Sequence, residues 1–268
     1  MADSLASELE VLYRVSVGVH RVVRDARSSP HRGDVVAMGA YGSPTEELDR
    51  LAEAEILRAL DAEGVDWDLL SEEIGHVARG GGRTLVVDPI DGSHNALRNL
   101  PYFTVSLALG RTDLAGIEVG LIRDLHHGTT WWARRGGGAF RDGRPIHTRP
   151  WNAKTEMVFV NLGRNASERS VRLAGKARRV RSLGSASQEI LMVAQGSAEG
   201  FFFENEAEGR NLRATDIAAA YRILLEAGGG ISDARGEPLE PFPLNLERRT
   251  SILAWGDPSF RKGVQEYL

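Results

Sequence analysis

Two aspartates of this 268-residue chain lie three positions apart, directly after an apolar segment. Asp88 and Asp91 belong to the run Asp88-Pro89-Ile90-Asp91-Gly92-Ser93, and the segment before it, Thr84-Leu85-Val86-Val87, is a predicted buried strand. Ligand sites of α/β sheets tend to lie at the carboxyl ends of strands, and hard divalent cations prefer carboxylate and carbonyl oxygens. The run therefore predicts a metal site that handles phosphate.

The residues around the two aspartates suit such a site. Pro89 stiffens the backbone, so both carboxylates and the Ile90 carbonyl could converge on a pair of cations. Gly92 allows a tight turn, and a helix that begins near Ser93 would direct the N–H groups of Gly92 and Ser93 at a phosphate. The alternative is a capped loop between a strand and a helix, because Asp, Pro and Gly favour turns anyway.

Further segments, taken with this run, resemble the inositol monophosphatase family of magnesium-dependent, lithium-sensitive phosphatases. They are Ser71-Glu72-Glu73-Ile74-Gly75, Ala214-Thr215-Asp216-Ile217-Ala218-Ala219 and Glu226-Ala227-Gly228-Gly229. Their spacing and order agree with the family over residues 38–235. Ser71–Gly75 and the segment Met38-Gly39-Ala40-Tyr41-Gly42-Ser43-Pro44-Thr45 are most similar to the archaeal branch, whose members are often bifunctional inositol-1-phosphate and fructose-1,6-bisphosphate phosphatases.

The resemblance implies a cofactor of two or three Mg²⁺ ions. Glu73, Asp88 and the Ile90 carbonyl would hold the first ion, and a third, weaker ion would also depend on Glu73. Asp88, Asp91 and Asp216 would hold the second ion. Two such cations can stabilise the attacking and leaving oxygens of an in-line displacement. For Asp216 alone, the alternative is a first-turn helix carboxylate that the helix dipole stabilises.

The same resemblance makes Asp49 and Ser93 the catalytic pair that positions and deprotonates the attacking water, next to Glu73. Asp49 and Glu53 lie one helical turn apart, and without the resemblance both would be assigned to a solvated face. Only one of Glu72 and Glu73 can face the site if both lie on a strand edge. The family motif aligns with Glu73, so the resemblance implies that Glu73 binds the metal and that Glu72 has a surface or supporting role.

Predicted substrate contacts lie in the second half of the chain. Gly184-Ser185 matches a family segment whose backbone approaches the substrate, although Ser185 and Gln188 also form a capping-box pattern. Glu204 lies near the position of an acidic residue that contacts the polyol in relatives. Arg210 and Arg213 either bind the second phosphate of a bisphosphate or are ordinary loop charges.

Three departures from the family pattern concern residues near these motifs. Thr215 stands where the family usually has Trp, His94 and Ala96 flank an asparagine that the family usually follows with Phe, and Tyr41 replaces a common Asp. We interpret His94 as a surface residue, because magnesium prefers oxygen ligands. These departures bear on the substrate range and on the loop around Tyr41, and none removes a predicted metal carboxylate.

Composition limits the remaining classes. The net charge of −4 argues against a broad nucleic-acid-binding face, and the basic segment 176–181 is interpreted as a solvated lead-in to a strand. The absence of cysteine excludes disulfides and thiolate ligands. No apolar stretch approaches the roughly 20 residues of a membrane span, and the first residues lack a secretory pattern. We expect a cytoplasmic protein without membrane or nucleic-acid partners, and the resemblance implies a homodimer.

The elements that must position these residues follow from apolar periodicity. Residues 4–27 predict a long amphipathic helix, and Ser43-Pro44-Thr45-Glu46 predicts the start of a second helix, capped by Ser43 and running to Leu60. Strands and an Asp142-Gly143 hairpin complete the first half, and strands alternate with helices in the second half. We expect an N-terminal α+β subdomain over residues 1–150 and a C-terminal α/β subdomain over 151–268, packed as one catalytic unit.

The expected fold class is mixed α/β (α+β), and the resemblance implies a layered α-β-α-β-α sandwich. It also implies a magnesium-dependent phosphomonoesterase that hydrolyses inositol-1-phosphate, fructose-1,6-bisphosphate or both through a metal-activated water. The alternative enzyme is a 3′-phosphoadenosine 5′-phosphate or NADP phosphatase. The alternative outside enzymes is a sugar-phosphate-binding protein that kept the metal site.

Overall fold

A computed structural model describes residues 2–40, 42, 44–239 and 241–268. Within them the chain forms two large β-sheets that alternate with layers of helices. The helices are α1 (Ala2–Ala26), α2 (Glu47–Ala62), α3 (Ser93–Leu97), α4 (Glu168–Lys176), α5 (Ala186–Ala194), α6 (Ala214–Glu226) and α7 (Pro258–Val264). The predicted Tyr41 loop and the Ser43 cap fall on residues outside these ranges.

The larger sheet has eight strands in the order β10-β9-β8-β7-β6-β5-β3-β4. These strands are β3 (Asp68–Ser71), β4 (Gly75–Val77), β5 (Thr84–Asp91), β6 (Thr104–Gly110), β7 (Val119–Asp124), β8 (Thr130–Arg134), β9 (Ala139–Arg141) and β10 (Arg144–Ile146). β3 and β5 are parallel, and the register pairs Ser71 with Val87. Their carboxyl ends therefore meet at one edge of the sheet, where Glu72 and Asp88 follow as neighbours.

The smaller sheet has the order β12-β11-β13-β15-β14. Its strands are β11 (Val158–Val160), β12 (Val180–Arg181), β13 (Gly200–Phe203), β14 (Gly230–Asp233) and β15 (Ile252–Trp255), while β1 (Val35–Met38) and β2 (Pro44–Glu46) form a separate hairpin. The larger sheet uses residues 68–146 and the smaller uses 158–255, on either side of the predicted boundary at residue 150. That boundary stays a prediction, and α6 packs across it onto the larger sheet.

Alternating side chains of the strands build three cores. On β5, Leu85 and Val87 pack towards α1 and α2, whereas Val86 packs towards α5 and α6. On β13, Phe201 faces α5 and α6, and Phe202 faces the outer pair of α4 and α7. The order of layers is helices, sheet, helices, sheet, helices, so the predicted α-β-α-β-α sandwich is confirmed. No described helix combines the length and apolar character that a membrane crossing requires.

Two element boundaries differ from the sequence prediction. Pro44–Glu46 is the strand β2, paired with β1, and α2 begins only at Glu47, so the predicted helix start in this segment is wrong. Strand pairing with β1 competes successfully with the local capping pattern. β5 continues through Asp91 rather than ending at Val87, with an irregular register between Asp88 and Asp91.

Candidate active site

The predicted metal and catalytic side chains meet in one cavity of about 610 Å³. Its lining includes Asp49, Glu73, Asp88, Asp91, Ser93 and Asp216, together with Glu72, Ile90, Gly92, His94 and Gly184. These residues come from the larger sheet, from the helices on both of its faces and from the segment before α5. The cavity therefore lies between layers of the fold and is not formed by one element alone.

The irregular end of β5 explains how Asp88 and Asp91 share this cavity. Residues three apart on a regular strand point to opposite faces of the sheet. Here the pairing with β6 is regular up to Asp88–Ser106 and resumes only at Asp91–Thr104. Pro89 cannot donate a ladder hydrogen bond, which favours such an interruption. The Asp88 carboxylate accepts a hydrogen bond from the Ile90 N–H at 3.1 Å, which fixes the turned backbone.

A cluster of three carboxylates forms the centre of the cavity. Oxygens of Glu72, Asp88 and Asp216 all lie within 4.8 Å of one another. Burial and then repulsion from Glu72 raise the pKa of Asp216 to about 8, and the same causes raise the pKa of Asp88 well above its ordinary value. Burial and crowding disfavour the charged forms of these carboxylates, and a bound cation would favour them. The all-oxygen donor set fits a hard divalent ion.

The structure places Glu72, not Glu73, beside Asp88 and Asp216, so the expected surface position of Glu72 is wrong, whereas its expected supporting role stays a prediction. Both glutamates lie in the turn between β3 and β4 and both reach the cavity, so the alternation of a strand does not apply to them. Glu73 accepts a hydrogen bond from the Thr45 hydroxyl. Burial raises the pKa of Glu73 to about 7. The assignment of Glu73 as a metal ligand remains a prediction.

Asp49 and Ser93 form a pair at the rim of the carboxylate cluster. Asp49 projects from the first turn of α2, and its Oδ1 lies 2.8 Å from Ser93 Oγ. The Ile90 carbonyl lies at the same distance from that hydroxyl, which therefore has two available acceptors. Burial raises the pKa of Asp49 to about 8. A carboxylate aligned on a serine hydroxyl can accept a proton that the hydroxyl passes on from a water.

Gly92 turns the chain from β5 into α3. Its φ of +92° lies in the left-handed region, and Ser93 is the first residue of the short helix that follows. This confirms the predicted helix start, while phosphate binding by the N–H groups of Gly92 and Ser93 stays a prediction. His94, the next residue, is exposed and borders the cavity.

Asp91 is held by the N-terminus of α5. Its Oδ2 accepts hydrogen bonds from the Ser185 hydroxyl at 2.8 Å and from the Ser187 N–H at 2.7 Å, and its Oδ1 accepts from the Ala186 N–H at 3.2 Å. The predicted capping box of Ser185 and Gln188 is wrong, because Ser185 makes no side-chain cap and donates instead to Asp91. A carboxylate from another element thus takes the capping role.

Two of the four predicted substrate residues contact side chains that line the cavity, and the other two make no such contact among the described residues. Ser185 and Arg213 contact members of the cavity, the latter through a hydrogen bond from Nη1 to Glu72 Oε1 at 3.0 Å. Glu204 instead pairs with Arg169, whose Nε lies 2.9 Å from Oε2, and it does not line the cavity in the described part of the chain. Arg210 is exposed, and its carbonyl accepts from Asn205. The pairing of Glu204 with Arg169 and the exposed position of Arg210 do not support substrate roles for these two residues.

Two residues near the cavity make contacts in the structure that the sequence did not predict. Glu53, expected on a solvated face, is buried and accepts a hydrogen bond from the Ser71 hydroxyl. Arg213 was considered only as a phosphate ligand or a loop charge. Local patterns contain no signal for either contact, because each partner belongs to a different element.

Comparison with known proteins agrees with this fold. Residues 4–258 match the model of the inositol monophosphatase family. The chain is 32% identical to a fructose-1,6-bisphosphatase/inositol-1-monophosphatase of Methanothermobacter thermautotrophicus, over 96% of this chain and 95% of the relative. It is 28% identical to a bifunctional NADP phosphatase/NAD kinase of Methanococcus maripaludis, over 96% of this chain but only 48% of the relative. A Pyrococcus horikoshii structure described as having similarities for inositol-1 monophosphatase superposes with a TM-score of 0.84 at 22% identity, covering 98% of both chains.

The layered fold and the acidic cavity, together with the family match, identify the chain as a phosphatase of a metal-dependent family. The chain belongs to the inositol monophosphatase family, and its similarity to the archaeal members is as predicted. The prediction of an enzyme is confirmed, and the alternative of a binding protein without catalysis is set aside.

Proposed function

We propose that this phosphatase uses magnesium to hydrolyse inositol-1-phosphate and fructose-1,6-bisphosphate. The observation that carries the proposal is the carboxylate cluster of Glu72, Asp88 and Asp216 in the same cavity as the Asp49–Ser93 pair. The named activities of the relative from Methanothermobacter thermautotrophicus, which aligns over nearly the full length of both chains, support this substrate class.

The proposed ligands are Asp88, Asp91, Asp216 and the Ile90 carbonyl, with Glu72 added to the predicted Glu73. When bound, two or three magnesium ions would neutralise charge on the phosphate and lower the pKa of a water. Asp91 keeps capacity for a cation, because within the described part of the chain its Oδ1 accepts one hydrogen bond, from the Ala186 N–H at 3.2 Å, whereas Oδ2 accepts the stronger bonds. The α5 N-terminus would hold that carboxylate in place during turnover.

In the reaction, residues of the chain would orient the attacking water and the phosphate and would transfer a proton. Ser93 Oγ would accept a hydrogen bond from the attacking water while its proton is donated to Asp49 Oδ1, along the 2.8 Å contact. The N–H groups of Gly92 and Ser93 would bind phosphate oxygens where α3 begins. No covalent phosphoenzyme is required, because positioning and charge neutralisation dominate phosphoryl transfer.

The second candidate is an NADP or 3′-phosphoadenosine 5′-phosphate phosphatase. The observation that favours it is the similarity to the bifunctional enzyme from Methanococcus maripaludis, about half of which this chain spans. Against it, the described lining of the cavity contains no phenylalanine, tyrosine or tryptophan side chain on which adenine could stack.

The test is a phosphate-release panel on the purified protein, with saturating MgCl₂ and with EDTA. Its substrates are inositol-1-phosphate, fructose-1,6-bisphosphate, 3′-phosphoadenosine 5′-phosphate and NADP. We expect magnesium-dependent release from the first two. Release from NADP alone would replace the proposed substrates, and release that persists in EDTA would contradict the metal site.

Three finer properties belong to the same proposal. We infer inhibition by lithium through displacement of a magnesium ion, a homodimeric state and a cytoplasmic location. Lithium titration of the preferred reaction, light scattering of the purified protein and cell fractionation test them separately.

A further inference from the structure

Arg213 contacts two members of the carboxylate cluster at once. Its Nη1 lies 3.0 Å from Glu72 Oε1, and its backbone N–H donates to Asp216 Oδ2 at 2.6 Å. The residue stands directly before α6 and is buried, with 3% of its surface exposed. One residue therefore fixes the orientation of Glu72 and anchors the helix that carries Asp216.

The charge of Arg213 also matters to the cluster. A guanidinium stays ionised in proteins, and a buried ion is stable only beside a partner of opposite charge. Glu72, Asp88 and Asp216 place up to three negative charges within 4.8 Å of one another. In the absence of a metal ion, the guanidinium supplies part of the positive charge that this cluster needs.

We propose that Arg213 is a positioning residue that acts as an internal counter-cation: it holds Glu72 towards Asp88 and Asp216 and competes with magnesium for the cluster. The metal-free site is thereby kept assembled, at the expense of weaker magnesium binding. This role differs from contact with a second phosphate of the substrate. It rests on the proposed magnesium site, although its measurements are independent of catalysis.

The central test compares Arg213→Gln with the wild type by thermal unfolding and by calorimetric titration with MgCl₂. Removing the guanidinium should lower the melting temperature in EDTA clearly more than at saturating MgCl₂, because magnesium replaces the lost charge. By linkage, magnesium should bind about fivefold more tightly or better. Arg213→Lys keeps the charge without the planar fork, so its magnesium affinity should remain close to that of the wild type.

Arg248→Gln is the matched control, because it removes the same charge from an exposed position. It should leave both the melting temperature and the magnesium affinity unchanged. Equal losses of melting temperature for Arg213→Gln in EDTA and in MgCl₂, with unchanged magnesium affinity, would show a merely structural residue and overturn the proposal. A variant that changes only the KM for a bisphosphate would identify a substrate contact instead.

A second comparison guards against a poorly folded Arg213→Gln protein. In EDTA, adding Arg213→Gln to a Glu72→Gln background should cost less stability than it costs in the wild type, because the charged partner is already gone. Equal costs in the two backgrounds contradict the inference. If magnesium does not change the melting temperature of the wild type, the metal site itself is overturned. If magnesium raises that melting temperature but the protein releases no phosphate, only the proposed function is overturned.

Discussion

Asp49 depends on a single contact for its proposed role, the 2.8 Å hydrogen bond that Ser93 Oγ donates to its carboxylate. Asp49→Asn keeps the size of the side chain but removes the proton acceptor. We expect kcat to fall by about 10²- to 10⁴-fold. Steady-state phosphate release at saturating MgCl₂ measures this loss.

Asp61→Asn is the control for Asp49→Asn, since Asp61 lies on the same helix, is exposed and pairs with Arg79 at the surface. Its turnover should equal that of the wild type. If Asp49→Asn also kept near-normal turnover, the proton relay through Ser93 would be wrong.

Glu189 is a buried carboxyl on α5, and its Oε1 accepts a hydrogen bond from the Leu183 N–H at 2.7 Å. Burial raises its pKa from 4.5 to about 8. Because the folded-state pKa is the higher one, this group's contribution to stability is complete below pH 4.5 and is lost as the pH rises through 8. Glu189→Gln should therefore be more stable than the wild type at pH 9 and about equal to it at pH 5.

Chemical unfolding across this pH range measures the effect of Glu189→Gln. The exposed Glu206→Gln provides the control and should follow the wild type at every pH. Parallel pH profiles for wild type and Glu189→Gln would show that Glu189 does not titrate in this window.

Residue types at the site could be predicted from the sequence, whereas their contacts could not. Asp88 and Asp91 were found because they follow an apolar strand in a compact motif. The position of Glu72 in the carboxylate cluster was missed because strand alternation was assumed for a turn. Its contact with Arg213 joins residues 141 positions apart, and no local pattern encodes such a pair.

At the scale of elements, the turn from β5 to α3 depends on Gly92. A Cβ at this position would lie 2.7 Å from the Tyr102 carbonyl oxygen, and the φ of +92° disfavours any L side chain. Gly92→Ala should therefore lower the free energy of unfolding by about 1–3 kcal/mol beyond the cost of the backbone conformation alone. It should also reduce turnover, because Ser93 would move away from Asp49.

Gly80→Ala isolates the conformational cost. Gly80 has a φ of +91°, and a Cβ there would meet nothing within 4 Å. Urea unfolding of the two variants measures the difference. Equal destabilisation of both would mean that the contact with Tyr102 relaxes without cost and that the turn is not tightly constrained.

Most elements could be predicted from apolar periodicity, and the exceptions have physical causes. α2 starts at Glu47 rather than at the capping pattern because Pro44–Glu46 pairs with β1. β14 (Gly230–Asp233) was not predicted, because it contains few apolar residues and gains its ladder only by pairing with β15. Tertiary pairing decides such short elements.

At the scale of the whole molecule, small residues allow the larger sheet and the middle helices to approach each other closely. A Cβ on Gly120 of β7 would lie 2.7 Å from the Ala219 carbonyl oxygen of α6. Gly120→Ala should separate the larger sheet from the middle helices and destabilise the protein by about 1–3 kcal/mol. Thermal and urea unfolding measure this change.

Gly175→Ala on α4 is the control, because a Cβ there would meet nothing within 4 Å and alanine favours a helix. It should be neutral or slightly stabilising. A neutral Gly120→Ala would mean that the sheet and α6 can shift apart without loss of packing.

The position of the active site between layers has a consequence for how the site forms during folding. Asp91 reaches its α5 donors across 94 to 96 positions of sequence, and Arg213 reaches Glu72 across 141. Such contacts close long loops, which costs entropy before any contact is gained. Helices and hairpins can therefore form while the active site is still open, and catalytic competence is acquired only when the last distant segments have docked.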